Sequence, residues 1–97
     1  MQNAALSGVR FQQHQAVEAS PLNDEMMLFH AATGKFCLLN RTSTSIWSQL
    51  HESRTVEEIA DAIAERFRDV SKADALRDVE SALREMLALE VVVRDSK

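Results

Sequence analysis

Residues Gly34-Lys35-Phe36-Cys37-Leu38-Leu39-Asn40 hold four apolar side chains in a row between a turn former and a helix cap. A strand with one dry face and one wet face alternates apolar with polar residues. This one is apolar on both faces. Lys35, Cys37 and Leu39 share one side, and Phe36 and Leu38 the other. Upstream, Met26–His30 reads as a strand, with Ala31-Ala-Thr-Gly34 as the turn between the two. Gly34 is one of two glycines in the chain and falls where a hairpin needs positive φ. Ala16–Ala19 is a further short strand, ended by Ser20-Pro21.

Asn40 switches the period to helical. It suits the N-cap of a helix over Arg41 to about Glu52, with Ile46, Trp47 and Leu50 on the apolar face and Trp47 as a core anchor. Thr55-Val-Glu-Glu58 is a capping box opening a second helix, whose stripe is Val56, Ile59, Ile63 and Phe67. Ser71-Lys-Ala-Asp74 opens a third, with Leu76, Val79, Leu83, Met86 and Leu87 on one side. Val91-Val-Val93 is a last strand or an extended cover. Strands segregated ahead of helices indicate α+β. Three antiparallel strands followed by three small helices can form a winged helix-turn-helix. Residues 1–14 are polar and Gln-rich without a clear period, and read as a flexible arm.

Ninety-seven residues make one small domain. A single cysteine excludes an internal disulfide and suits a reducing, cytoplasmic setting. It lies in an apolar strand and reads as a small buried hydrophobe rather than a reactive thiol. His14, His30 and His51 lack metal-ligand spacing, and no nucleophile motif or phosphate loop is present. These features point to no catalytic residue, metal or cofactor. No apolar run reaches the length that spans a bilayer. Net charge is −4, and residues 72–90 carry Lys72, Arg77 and Arg84 against Asp74, Asp78, Glu80, Glu85 and Glu90. A net-negative third helix opposes the alternative of a winged-helix DNA-binding regulator.

What remains is recognition of a protein or peptide. If the strand at residues 35–39 is a sheet edge, its free backbone groups can accept an added strand. The third helix can cover the second apolar face and leave a groove between helix and strand. A hairpin closed by its own helices is the competing reading. A second copy of the chain could also pair with the same edge, as a homodimer.

The ordered set Leu28…Gly34-Lys-Phe…Leu39-Asn40…Thr42…Ile46-Trp47…Leu50…Thr55-Val-Glu-Glu-Ile59…Phe67…Asp78-Val79…Leu83…Met86…Val91-Val92 resembles PqqD-like proteins, the free-standing precursor-peptide recognition elements of RiPP (ribosomally made peptide natural product) biosynthesis. The resemblance covers residues 16 to 93 and implies a recognition domain over residues 15–97. It implies a winged helix-turn-helix that binds a leader peptide as a strand added to the third strand, with the third helix closing the groove, for delivery to a modifying enzyme such as a protease, cyclase or radical enzyme. Carried over, the strand platform is Lys35, Phe36, Cys37, Leu38 and Leu39. Asp78 and Val79 match the family's Asp-Val pair, and Ala82 and Met86 continue that flank at helical spacing. Two glycines common in the family are replaced here, one by Glu52-Ser53 after the first helix and one by Glu90 after the third. The Pro-Glu-Gly turn of members serving pyrroloquinoline quinone synthesis is absent, and the pattern is closer to recognition proteins of other systems, including lasso peptides.

Overall fold

Two three-stranded antiparallel sheets carry the chain, and three helices pack between and beside them. The computed structural model describes residues 8–95. The order is β1 (Arg10–Gln13), β2 (Val17–Leu22), β3 (Glu25–His30), β4 (Lys35–Leu39), α1 (Arg41–Gln49), β5 (Arg54–Thr55), α2 (Val56–Arg66), α3 (Lys72–Ala88) and β6 (Val92–Asp95). One sheet runs β2-β3-β4 and the other β5-β1-β6. The α+β architecture is the expected one, with the three expected strands as β2, β3 and β4.

The hairpin β3–β4 forms in the register the alternation requires: Leu28 lies opposite Cys37 and Phe29 opposite Phe36. Gly34 takes φ 75° and donates its N–H to the His30 carbonyl at 2.7 Å, closing the turn. All three helix starts are capped by the expected side chains. Asn40 Oδ1 accepts from the Ser43 N–H at 2.8 Å. Thr55 and Glu58 make the reciprocal pair of a capping box, at 3.1 and 3.0 Å. Ser71 Oγ accepts from the Asp74 N–H. The core gathers Leu28, Leu39, Ile46, Trp47, Ile59, Ile63, Val79 and Leu83 from sheet and helices. Trp47 is buried as expected, and its indole N–H donates to the Val91 carbonyl at 3.2 Å.

Two expectations are corrected. The first concerns the arm at residues 1–14. Residues 1–7 lie outside the described residues, but Arg10–Gln13 is the central strand of the second sheet. Phe11 is fully buried, and Val9 packs against the same core. Alternating Val9 and Phe11 inward supplies enough apolar burial to fix a stretch whose composition is otherwise polar. The second concerns β2, which continues through Ser20-Pro21 to Leu22, with Pro21 opposite Met26. Because β2 is an edge, the donor that Pro lacks is not needed. Asn23, at φ 59°, makes the tight turn that follows.

The end of α3 shows how one departure from the family is accommodated. Glu90 adopts φ 62°, its N–H donates to the Leu87 carbonyl, and the Val91 N–H donates to the Met86 carbonyl. This is a Schellman closure with a glutamate in the left-handed position. Glu90→Gly should therefore stabilise the domain by about 0.5–1 kcal/mol. A thermal melt should show a rise of a few degrees, and an unchanged or lower midpoint would contradict the strain. After α1 the chain closes differently: neither Glu52 nor Ser53 has positive φ.

Candidate functional site

The site begins with an unpaired strand edge. β4 hydrogen-bonds to β3 on one side and, among the described residues, to no strand on the other. Beside that edge, α3 lays down a stripe at helical spacing: Asp78, Ala82, Glu85 and Leu89. Between strand and helix runs a groove in two adjoining stretches. One, of about 200 Å³, is lined by Cys37, Leu38 and Leu39 against Ala82, Met86 and Leu89. The next, of about 280 Å³, continues past Asp78 toward the start of α1. Ala82, Glu85, Asn40 and Ser43 line both stretches, so the groove is continuous.

Its chemistry is apolar at the floor and acidic at the rim. Leu39 and Met86 are almost fully buried beneath it, while Asp78 and Glu85 stand exposed on the helix side. Neither Lys nor Arg lines either stretch. Burial, and secondarily the negative charge of Glu85, push the Cys37 thiol up from its ordinary value. The thiol form dominates at neutral pH, which fits a groove lining rather than a nucleophile. Among the described residues no group of three or more His, Cys, Asp or Glu is placed to hold a metal ion. None of the described helices is long and apolar enough to cross a membrane.

The structure sorts the expected site residues. Cys37, Leu38, Leu39, Asp78, Ala82 and Met86 come together around the groove. Val79 does not, because its side chain is 0% exposed in the core. One residue along a helix is a rotation of about 100°, which takes Val79 from the groove to the packed face. Lys35 and Phe36 belong to the edge strand but line neither stretch.

The expectation that α3 covers the Phe36 and Leu38 face is also corrected. The α3 groove lies on the Cys37 and Leu39 side, which shares its face with the fully buried Leu28. Phe36 and Leu38 remain 67% and 57% exposed, their side chains alternating to the opposite face of the sheet, although Leu38 still borders the first stretch of the groove. There the Phe36 ring meets Phe29 at 4.9 Å between centroids. Glu85, Leu89, Asn40 and Ser43 are groove residues that sequence reasoning missed. Asp78 plus seven and plus eleven, the same helical face, would have found Glu85 and Leu89.

An open strand edge facing a helix across an apolar groove defines a peptide-docking module, and comparison with known proteins gives it a family. Residues 25–92 match the model of the family described as coenzyme PQQ synthesis protein D (PqqD), and the chain belongs to that family. The structure is similar to a solved one described as TbiB1 in complex with the TbiA(beta) leader peptide. That match has a TM-score of 0.76 and 32% identity, and covers 84% of this chain and 93% of the other. A second similar structure is a lasso peptide synthetase B1 complexed with the leader peptide. It has a TM-score of 0.74 and covers 86% of this chain and 96% of that one; at 18% identity it speaks for the fold alone. Among curated proteins none matches the chain significantly.

Proposed function

We propose that this chain binds the leader segment of a ribosomally made precursor peptide by adding it as a strand to β4, and holds it for a separate modifying enzyme. The observation that carries this reading is the unpaired, doubly apolar β4 edge beside the α3 groove. The leader-bound state of the 32% identical structure supports it. Backbone N–H and C=O groups of β4 would fix the register of the incoming strand. Alternate side chains of the peptide would enter the groove over Leu39 and Met86, and the others would extend the open face beside Phe36 and Leu38. The missing Pro-Glu-Gly turn speaks against a quinone precursor and leaves a lasso-type precursor as the reading we favour. The acidic stripe of α3 gives the DNA-binding alternative no support, since Asp78 and Glu85 would face phosphate.

Titration with the leader of the precursor encoded beside this chain tests the reading. Saturable binding tighter than about 100 μM, roughly 5.5 kcal/mol, is expected. Alkylation of Cys37 should be slow in the free protein and slower still with peptide bound, because the added strand covers the groove. Absence of saturable binding would remove the proposal. Sedimentation separates it from homodimerisation through the same edge: a β4-paired dimer would dissociate as the leader binds.

A further inference from the structure

A second concave site lies across α1 from the groove and shares no lining residue with it. It encloses about 350 Å³ and brings together Arg41 from the start of α1, Arg54 from β5 and Arg66 from the end of α2. His51, Ser45 and Ser48 complete much of its wall, and Asp24 is the one acidic residue on it. Three arginines thus converge on one hollow of a chain whose net charge is −4.

Among the described residues, two of these arginines have no counter-ion. Arg54 is engaged, donating Nε–H to the Gln49 carbonyl at 3.0 Å and pairing with Glu52 at 3.6 Å. Arg41 and Arg66 form no ion pair among the described residues. Instead their guanidinium carbons lie 5.1 and 5.7 Å from the centroid of the same Phe67 ring. Both charges also line the hollow, where an anion would be attracted by the two together. Arg66, in the last turn of α2, has a structural justification in the helix dipole. Arg41 has the opposite: it is the first residue of α1, at the positive end of the dipole, and that first turn contains no acidic residue. Its placement costs stability to the fold and supplies charge to the hollow.

We infer that this hollow is a docking site for an acidic segment of a partner protein, its carboxylates taken by Arg41 and Arg66. Guanidinium groups pair with carboxylates through two parallel hydrogen bonds. The Gln49 side chain selects a peptide over a bare anion. Its Nε2 donates to the Ser45 carbonyl, which leaves Oε1 as an acceptor with no partner among the described residues. A small side-chain rotation would let Oε1 accept a backbone N–H, which a peptide has and inorganic phosphate does not. The site needs no occupant in the groove, so the inference stands or falls separately from the leader-binding reading.

The probe is an acetylated, amidated hexaglutamate peptide, titrated into the ¹⁵N-labelled full chain at low salt. Saturable shifts are expected at Arg41, Ser45, Ser48, Gln49 and Phe67, fading as salt is raised. Arg41→Gln with Arg66→Gln should weaken binding by about tenfold or more. Both residues are exposed, and an unchanged thermal midpoint checks that the fold is intact. Hexaglutamine should produce no shifts. Equal binding of hexaglutamine, equally tight binding of inorganic phosphate at the same amides, shifts centred elsewhere, or no shifts at all would each overturn the inference.

Discussion

Ala82→Glu is expected to abolish peptide capture while leaving the domain folded. Ala82 lines both stretches of the groove, where its methyl group leaves room for an incoming side chain. A glutamate there would project into a trough of about 200 Å³ and place a third carboxylate beside Asp78 and Glu85. The peptide would then have to displace that side chain or bury a charge without a partner, both unfavourable. A loss of about 100-fold, roughly 2.7 kcal/mol, is a reasonable minimum. The helix itself tolerates the change, since glutamate is a good helix former and costs only a few tenths of a kcal/mol relative to alanine. Arg84→Glu is the control: from an exposed position on the same helix it makes α3 more negative by two charges rather than one, but lines neither stretch. Calorimetric titration of both variants, with melting curves, decides the matter. Equal weakening by both substitutions would mean that charge, not occlusion, was responsible. Undiminished binding by Ala82→Glu would place the peptide elsewhere.

Phe11→Ala is expected to cost about 3–5 kcal/mol, a large share of the roughly 5–15 kcal/mol that holds a domain of this size together. Phe11 is fully buried at the centre of the second sheet. Its strand pairs with β5 on one side and β6 on the other. The loss would also loosen the neighbouring Gln13, whose backbone N–H donates to the Leu50 carbonyl and whose side chain donates to the Trp47 carbonyl, both at 2.9 Å. Urea unfolding measures the difference. A cost below about 1 kcal/mol would return residues 10–13 to the status of a dispensable arm.

The contrast between these two positions shows what the sequence could disclose. Local signals were legible: Gly34 for the turn, and Asn40, Thr55 with Glu58, and Ser71 for the helix starts. Each works within four residues, and each forms as read. β1 was not legible, because its partners are far along the chain. Phe11 pairs with Arg94 and Arg54, and only two inward apolar residues, Val9 and Phe11, mark the strand in a Gln-rich stretch. The groove was half legible. Alternation correctly separated Cys37 and Leu39 from Phe36 and Leu38, yet alternation cannot say which face a helix will take. Burial of Leu28 opposite Cys37 decides that, and it leaves Phe36 outside. The arginine hollow had no linear trace, since Arg41, Arg54 and Arg66 come from three different elements.

The pairing of β1 with β6 has a topological corollary. Arg10 sits opposite Asp95, so the two ends of the described chain run side by side, about 5 Å apart in a hydrogen-bonded pair. A domain whose entry and exit are neighbours can be spliced into a loop of another protein, or circularly permuted, with little distortion of host or guest. The junction lies in the second sheet, away from β4, so the open edge of β4 would survive the graft. The same fold can thus stand alone or sit as an insert within a larger protein.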